Sequence, residues 1–468
     1  MPAVLSLPKS NNSLQRLLHK IHSFFAKTTL DLRCNMSLWY PPFIEWEITP
    51  SCNHNCVHCY NYWRSNDEIS IDADFDHNAD FTYYETVAEK IIDSKPVSVA
   101  ITGGEPFIVF SKVKSAIDML LHAGIEVSIN TNATLLNDDI LAFLRDRPIK
   151  IFASFPCAEP TVCDKIVGVK GTLKRITEAI CTLKEAGIDV ATNTVVSELN
   201  YPYIEMTADY LKNVVGQKYF CATRACLPVN AKEEFRKQIL SREHFNELMK
   251  TLLKIRQEKD MDVDFARAYS LCSFQSEDVL AAFAGKRQCS GGKLSFVVTS
   301  EGNIKACAMD SEIYGNILTG TFSSAIAKMA SWQDLKYLPD DCKACKCLNL
   351  CGGGCRIDAL TTFGDFSKLD PLSMPNALPH IDFSREDSFF PPDVSCRVSD
   401  CVCVTRENNC LRISRGSRYT FLAEDAFELL RQMSVFSIYD MEKNLHLDSK
   451  TAANILTFLI DVGIIETL

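Results

Sequence analysis

The chain has 468 residues, of which 47% are hydrophobic and 23% are charged, and its net charge of -10 gives a pI near 5.5. This composition is typical of a globular protein with several domains, and it argues against nucleic acid or an anionic membrane as a partner. No apolar run reaches the roughly 18 residues that a membrane helix needs.

Residues 1–40 are predicted to hold an amphipathic helical extension. Leu14, Leu17, Leu18, Ile21 and Phe24 recur at helical spacing, and polar or basic residues interrupt every apolar stretch. We interpret the segment as a helix that packs on the main domain, with contact to a membrane surface as the alternative. It does not resemble a secretory signal.

From residue 41 to 235 a strand-then-helix rhythm repeats six times. The strand-like runs are FIEWEITP, VSVAITGGE, IEVSINTN, IKIFASF, DVATNTVVS and YFCATRAC. Strands that alternate with helices predict parallel pairing with right-handed crossovers. The fold class is therefore α/β, and the count favours a partial (β/α)6 barrel of the TIM type.

In such barrels the chemistry gathers at the C-terminal ends of the strands. Polar or special residues follow these strand ends and are the candidate binding residues: Gly103, Gly104, Glu105, Asn130, Ser154 and Arg224.

Three further segments follow the barrel. Residues 236–285 are charged and predicted to be a helical bridge. Residues 286–410 are rich in cysteine and glycine and contain a proline-studded insertion that we interpret as a surface loop. Residues 411–468 begin with a strand-like run and continue as helices, which predicts a small winged-helix-like module.

Cysteine usage indicates metal or catalytic chemistry. The chain has 21 cysteines, and 11 of them fall between Cys289 and Cys410. As a share of the chain, these cysteines fall below the roughly 8–10% that is typical of disulfide scaffolds. The expected compartment is the reducing cytoplasm, where clustered cysteines are more often metal ligands or catalytic groups than disulfides.

The first cysteine group is CNHNCVHC, with Cys52, Cys56 and Cys59 at C-x3-C-x2-C spacing. Thiolates bind zinc or iron–sulfur clusters. A structural zinc site needs four ligands, and His54 or His58 could supply the fourth. A [4Fe–4S] cluster has four irons that each need a ligand, so three cysteines would leave one iron open.

The pairing of CNHNCVHC with TGGEP at the second strand end resembles the radical S-adenosylmethionine (SAM) superfamily. The resemblance implies that Cys52, Cys56 and Cys59 hold a [4Fe–4S] cluster whose open iron binds SAM. It also implies that the segment from Gly103 to Glu105 lies against the SAM amino group and that His58 approaches adenine. Candidate SAM contacts at the other strand ends are Asn130, Ser154 and Arg224. The SxDG that commonly follows the fourth strand is SFPC here, so that part of the match is weaker.

The later cysteines form a second constellation. The spacing is C-x12-G-x4-C, a gap, C-x2-C-x5-C-x3-C, and then further cysteines after the insertion. Its members are Cys289, Cys307, Cys342, Cys345, Cys351, Cys355, Cys396 and Cys401. From the residues alone, two structural zinc sites remain an alternative to iron–sulfur clusters.

This spacing resembles the SPASM extension of radical SAM enzymes, which implies one or two auxiliary [4Fe–4S] clusters. Cys289, Cys307 and Cys355 would serve the first. This chain has no cysteine between Cys289 and Cys307, so that cluster would keep an open iron or take an unexpected ligand.

The second auxiliary cluster would be held by Cys342, Cys345, Cys351 and one later cysteine. Cys396 and Cys401 are the best candidates for this last ligand. The spare thiols are Cys347, Cys403 and Cys410.

The resemblance implies a radical SAM enzyme that modifies a ribosomally made precursor peptide. Hydrogen abstraction would lead to a thioether or carbon–carbon crosslink or a related change. The implied partners are a precursor peptide and an electron donor such as flavodoxin or ferredoxin. Residues 411–468 of this chain would bind the leader of that peptide.

Three alternatives remain open. One is an enzyme acting on a small molecule or cofactor precursor, and another is a non-catalytic metal-binding or scaffold protein. The third is a sulfatase-maturing enzyme that forms formylglycine, in which a catalytic Asp directly follows the cysteine matching Cys307. Here Ala308 stands at that position and the nearest acid is Asp310, the one candidate catalytic residue.

Overall fold

The computed structural model divides the chain into two compact units, one within 37–380 and one that includes 381–468. The residues it describes are 41–61, 75–228, 231, 233–284, 287–334, 336–345, 347–375, 394–399, 402–407, 410–415, 418–422, 424–445, 452–453, 456, 459–460 and 464–467. The predicted N-terminal helix and most of the proline-studded insertion lie outside these residues. No helix in the described part is long and apolar enough to cross a membrane.

The larger unit is built on one ten-stranded sheet with the strand order β10-β9-β8-β1-β2-β3-β4-β5-β6-β7. Strands β1 to β7 run parallel, β8 runs parallel to β1 at its other side, and β9 and β10 continue antiparallel. The bounds are β1 Phe43–Glu47, β2 Ser98–Thr102, β3 Glu126–Thr131, β4 Lys150–Ser154, β5 Val190–Val196, β6 Tyr219–Arg224, β7 Asp262–Phe265, β8 Ser295–Val298, β9 Asn303–Lys305 and β10 Gly315–Asn316.

Helices cross over between the parallel strands. Side-chain caps define several starts, since Asp80 accepts from the Tyr83 N–H at 3.0 Å and Asn137 accepts from the Ile140 N–H at 3.0 Å. The helices up to the bridge are α1 Phe75–Asn78, α2 Phe81–Asp93, α3 Phe110–His122, α4 Asp138–Arg145, α5 Pro160–Val167, α6 Thr172–Glu185 and α7 Ile204–Asn213. Short 3-10 turns span Pro106–Ile108 and Tyr201–Tyr203. This parallel sheet with crossover helices confirms the prediction of a partial α/β barrel.

The segment predicted to be a helical bridge also contributes to the sheet. It contains α8 Glu233–Arg236, α9 Arg242–Glu258, a 3-10 turn at Leu271–Ser273 and α10 Glu277–Phe283. Between α9 and the turn lies β7, which pairs in parallel with β6. Strand β7 therefore adds a seventh parallel strand to the six predicted within 41–235. Its four residues are too few for a recognisable strand pattern.

The strand register separates a polar from an apolar face of the sheet. Glu45 pairs with Ala100, Asn130 with Phe152, and Ser154 with Asn193, so these residues share one face. Residues of the other face are buried and apolar: Ile44, Trp46, Val99, Ile101, Val127, Ile129, Ile151 and Ala153. The polar face is the one that lines a barrel interior.

The cysteine-rich segment continues from the sheet as short helices. They are α11 Phe322–Lys328, α12 Ala330–Gln333, α13 Asp340–Lys343, α14 Leu348–Cys351 and α15 Arg356–Phe363. Helix α11 begins with a capping box, in which Thr321 and Ser324 each satisfy the other's backbone N–H.

The C-terminal unit combines antiparallel strands with helices. Strands β12 Cys403–Glu407, β13 Cys410–Arg415 and β14 Arg418–Leu422 form one sheet, and β11 Cys396–Val398 pairs with β15 Ile465–Thr467. Helices α16 Glu424–Gln432 and α17 Ile438–Leu445 follow the sheet. The unit therefore includes strands that precede the predicted boundary at residue 411.

This unit has a hydrophobic core of its own. The buried members are Cys396, Leu411, Ile413, Phe427, Leu430, Phe436, Ile438, Met441, Ala452, Ala453, Leu456, Leu459, Ile464 and Ile465.

Candidate active site

The loop that carries Cys52, Cys56 and Cys59 directly follows β1, at the predicted active edge of the sheet. All three thiols are half-buried and free of disulfides. The His54 N–H donates to the Cys52 sulfur at 3.4 Å, and the Cys59 N–H donates to the Cys56 carbonyl at 3.1 Å.

Gly103 and Gly104 form the surface on which this loop rests. A Cβ at Gly103 would lie 2.4 Å from the Thr49 carbonyl oxygen, and one at Gly104 would lie 1.9 Å from the Ser51 carbonyl oxygen. The Gly104 N–H donates to Thr49 O at 2.7 Å, and the Glu105 N–H donates to Ser51 O at 2.8 Å. The two glycines are therefore required by the close approach of the cysteine loop.

The Glu105 carboxylate is buried and ties three segments together. It accepts hydrogen bonds from the Phe107 N–H at 3.1 Å, the Thr131 hydroxyl at 2.6 Å and the Asn132 N–H at 2.7 Å. Burial raises its pKa to about 7, although these hydrogen bonds act in the opposite direction. Glu105 thus fixes the end of β3 beside the cysteine loop, and its contact with the SAM amino group stays a prediction.

A second tie joins the cysteine loop to the residues that follow β3. Asn132 donates to the Asn53 side chain at 2.8 Å, and Asn53 donates to the Thr134 hydroxyl at 2.9 Å. The loop also donates from Asn55 N to Val167 O at 2.9 Å. The loop is therefore supported from β2, β3 and α5.

His58 lies between the second and third cysteines of this loop. Burial lowers its pKa to about 4, so the imidazole is neutral at pH 7. Its Nδ1 is buried and has no hydrogen-bond partner among the residues that the structure describes. The predicted approach of His58 to adenine stays a prediction.

Asn130 and Ser154 lie on the polar face, half-buried and exposed respectively. Arg224 pairs with Val196 and so lies on the opposite face at the end of β6. It is 4% exposed, and its Nη2 lies 2.5 Å from Asp358 and 3.1 Å from Asp370. The structure brings Arg224 to the cysteine-rich segment, and its role at SAM stays a prediction.

Cys289, Cys307 and Cys355 come together in the larger unit. The pKa of Cys307 is raised to about 12, chiefly by burial, and the nearby Cys289 thiolate contributes to the rise. Burial also raises the pKa of Cys355, to which Cys289 again contributes, whereas the Arg267 guanidinium opposes this. The predicted trio of the first auxiliary group is thus a set of neighbouring thiols.

Burial keeps the pKa of Cys355 raised, although two features of its surroundings favour the thiolate. It is the N-cap of α15, where the helix dipole favours negative charge. Arg267 donates to its sulfur at 3.1 Å, and the Cys355 N–H donates to Asp370 at 2.8 Å. Arg267 and Asp370 were not recognised from the sequence, because nothing in their local pattern distinguishes them.

Cys342, Cys345 and Cys351 lie within one short stretch of the larger unit, and their grouping as ligands of the second auxiliary cluster stays a prediction. The pKa of Cys342 is raised to about 11, chiefly by burial, and the negative charges of Cys351, Cys272 and Cys345 contribute to the rise. Cys272 was missed from the sequence because it lies 17 residues before Cys289, outside the spacing pattern. In the sequence, the only indication was that Cys272 is a further cysteine shortly before Cys289.

The structure does not place either predicted last ligand of the second auxiliary cluster beside the other cysteines of that group. Cys396 is fully buried in the core of the C-terminal unit, and Cys401 lies outside the described residues.

Asp310, the candidate catalytic acid, is 2% exposed and accepts from the Glu312 N–H at 3.1 Å. Burial raises the pKa of Asp310.

Two more buried groups lie near these cysteines. Cys226, one residue beyond Ala225 after β6, donates to the Met309 sulfur at 2.9 Å. Glu47 at the end of β1 has both carboxylate oxygens buried without a hydrogen-bond partner, and burial raises its pKa to about 7. Lys305 opposes that rise.

Residues 46–211 match the family model described as the Radical SAM superfamily. The chain carries a radical SAM domain. Members of this superfamily are iron–sulfur enzymes that use SAM and a [4Fe–4S] cluster, often with auxiliary clusters. The chain is therefore an enzyme of the radical SAM type.

Individual proteins show similarity beyond this domain. An AdoMet-dependent heme synthase from Methanosarcina barkeri is 25% identical over 71% of this chain and 95% of its own. A PqqA peptide cyclase from Bradyrhizobium diazoefficiens is 23% identical over 69% and 84%. The structure of SuiB from Streptococcus suis, bound to S-adenosylmethionine, matches with a TM-score of 0.54 at 16% identity over 80% and 84%.

The residues present suit an iron–sulfur cluster at each group. Three thiols per group are donors of the type that such clusters take. Each thiolate of a [4Fe–4S] cluster binds a different iron, so the thiols need not converge on one point. Among the described residues, no three His, Cys, Asp or Glu side chains are arranged to hold a single metal ion.

Proposed function

We propose that the protein is a radical SAM peptide maturase, which abstracts hydrogen from a ribosomally made precursor peptide. The product would carry a thioether or carbon–carbon crosslink or a related modification. The observation that carries this proposal is the assembly, within one compact unit, of the cysteine loop on Gly103 and Gly104 and of two further thiol groups.

Cys52, Cys56 and Cys59 would hold the cluster that binds SAM, and Cys289, Cys307 and Cys355 would hold an auxiliary one. When bound, the first cluster and SAM supply a 5′-deoxyadenosyl radical that takes a hydrogen atom. Gly103, Gly104 and Glu105 hold the cysteine loop in place, and Asn130 and Ser154 present polar groups on the interior face. A flavodoxin or ferredoxin would supply the electron.

A peptide substrate is supported by the extent of the structural similarity. SuiB has also been solved with its precursor peptide SuiA, and that structure covers 81% of this chain with a TM-score of 0.53. The PqqA peptide cyclase is a second relative whose name specifies a peptide. The fold of this chain thus suits a peptide-modifying enzyme well beyond the radical SAM domain.

The C-terminal unit would bind the leader of that peptide. In the part of this unit that the structure describes, β12 and β14 are the edges of a three-stranded sheet. Val404 on β12 is 45% exposed. A free sheet edge with an exposed apolar side chain suits a peptide that adds as a further strand.

The proposal also includes the cellular compartment, which would be the cytoplasm. Every cysteine whose side chain the structure describes is free of disulfides. Free thiols in these numbers agree with the reducing cytoplasm.

A second candidate is an enzyme that acts on a tetrapyrrole or another cofactor precursor. The heme synthase relative favours it, because the match covers 95% of that protein. Formylglycine formation is disfavoured, because Ala308 follows Cys307 and Asp310 is buried with a raised pKa.

The deciding experiment uses short reading frames next to the gene as a source of precursor peptides. The protein is incubated anaerobically with SAM, a reductant and the peptide, and the peptide mass is measured. We expect a loss of two hydrogen atoms for a crosslink, or an unchanged mass with deuterium uptake for epimerisation. C56A should abolish SAM cleavage, whereas C181A, on α6 away from the three groups, should retain it.

A protein that cleaves SAM but leaves every candidate peptide unchanged, and instead converts a porphyrin precursor, would overturn the peptide proposal. Retained SAM cleavage in C56A would overturn the assignment of the cysteine loop.

A further inference from the structure

The turn that carries Cys272 contacts the sulfur of Cys351 through the Leu271 N–H, although Cys272 precedes Cys342 by 70 residues in the sequence. We propose that Cys272 is the fourth protein ligand of the second auxiliary iron–sulfur cluster, in place of Cys396 or Cys401. The inference deepens the proposed function and rests on it only in that an auxiliary cluster is present.

The position of Cys272 is fixed by a direct contact to the group. The Leu271 N–H, on the neighbouring residue, donates to the Cys351 sulfur at 3.3 Å. Cys272 itself is half-buried, like Cys342 and Cys345, whereas Leu271 and Ser273 on either side of it are buried. The 3-10 turn thus holds the Cys272 backbone against one ligand of the group.

The turn is anchored from the barrel side. Asn246 on α9 donates to the Ser273 carbonyl at 2.9 Å, and the Ser273 hydroxyl donates to the Ser270 carbonyl at 2.6 Å. The Gln275 N–H donates back to the Asn246 side chain at 2.9 Å. A ligand held by such a network keeps its place before a cluster is inserted.

One direct contact ties this turn to the thiol group, since its backbone donates to the Cys351 sulfur. A cluster at this point would draw on a four-thiol set from two separate parts of the chain.

Cys347 is the other spare thiol of the group, and its geometry differs. Its N–H donates to the Cys345 sulfur at 3.4 Å, two residues back. In the first loop the same position relative to Cys52 is taken by His54, whose N–H donates to the Cys52 sulfur. The residue two positions after a ligand thus supports that ligand's sulfur through its backbone, and we assign Cys347 to this supporting position.

Cys396 is already committed in its own unit. It is fully buried there, its N–H donates to Phe436 O at 2.7 Å, and its carbonyl accepts from the Phe436 N–H at 2.8 Å. Its sulfur lies 3.9 Å from the Val394 carbonyl oxygen. Using this thiol as a ligand would remove it from the core of the C-terminal unit.

The test measures iron and sulfide bound per chain in full-length protein that has been reconstituted anaerobically. We expect C272A to lose the same amount as C345A, equal to one cluster of about four irons. C347A, C396A and C401A should bind as much iron as the native protein. C272S should retain iron but shift the EPR spectrum of the reduced protein, because oxygen replaces sulfur at one iron.

Native iron content in C272A, together with a loss of one cluster in C396A or C401A, would overturn the inference. So would a native protein that binds the iron of the first cysteine loop alone. SAM cleavage without peptide reports that first loop independently and should persist in C272A, which also shows that this variant is folded. A failure to modify any peptide would count against the proposed function and leave the iron measurements unaffected.

Discussion

At the scale of single residues, the cysteine loop depends on atoms that its own sequence does not contain. Gly104 is the sharpest case, because its missing Cβ leaves room for the Ser51 carbonyl. The resemblance predicted that the segment from Gly103 to Glu105 lies against the SAM amino group, and the structure shows that its two glycines lie against the cysteine loop. The importance of Gly-Gly-Glu was therefore predictable, whereas the partner of each glycine was not.

We expect G104A to bind little or no iron at the first loop, because the added methyl would force the loop backbone away. The displacement exceeds what a neighbouring backbone can absorb, and overpacking of this kind typically costs about 1–3 kcal/mol. SAM cleavage and the iron content per chain measure the effect.

The matched control is G187A. A Cβ at Gly187 meets nothing within 4 Å, although its φ of +79° imposes a backbone cost. G187A should lower stability slightly and keep its iron. Equal iron loss in both variants would show that the loop responds to general destabilisation and not to the clash.

At the scale of elements, β6 and α15 are joined by buried charge. Arg224 ends β6, Asp358 lies on α15, and Asp370 follows that helix. Arg267, after β7, lies 2.7 Å from the same Asp358. These groups hold the segment that carries Cys355 against the ends of two barrel strands.

We expect R224A to lower the free energy of unfolding by about 3–5 kcal/mol, because it leaves two carboxylates buried beside a single guanidinium. A lower thermal midpoint, with loss of the iron that Cys355 would bind, checks this expectation. R145A, at the exposed end of α4, is the control and should change the midpoint little. If R224A melts like the native protein but binds SAM more weakly, the predicted role of Arg224 as a SAM contact would be favoured.

The longer strands could be predicted from the sequence, whereas the short strand β7 and the strand register could not. The six strand-like runs of the barrel each became a strand, because β-branched and aromatic residues alternate there over five residues or more. The four-residue β7 is too short to show such a pattern, and only its pairing with β6 fixes it as a strand. Arg224 lies on the other face of the sheet from Asn130 and Ser154. This placement depends on the register between whole strands, which the local sequence pattern does not encode.

At the scale of the whole molecule, the two compact units have separate cores and separate proposed tasks. The spacing of the cysteines, through the resemblance, assigned six thiols of the larger unit to two groups, and that assignment stays a prediction. The spacing did not predict Cys272, since a ligand contributed from outside the spacing leaves no mark on it.

We expect a protein that ends at residue 380 to bind the precursor peptide at least tenfold more weakly, because the sheet edges of the C-terminal unit are gone. Fluorescence anisotropy of a labelled leader peptide measures this affinity. SAM cleavage without peptide serves as the control and should remain near the native rate. Equal peptide affinity in the shortened and native proteins would remove the C-terminal unit from leader binding.

The contact between Leu271 and Cys351 joins positions 80 apart in the sequence. The chain between them includes β8, β9 and β10, so the thiol group is completed only after this stretch has folded. The entropy cost of closing a loop grows slowly with its length, and folding has already met most of that cost before any cluster is inserted. Loss of a cluster at this point should therefore leave the stretch from 272 to 351 folded and as resistant to proteases as β1 to β6, so that the protein without the cluster still presents a formed site to an iron–sulfur donor.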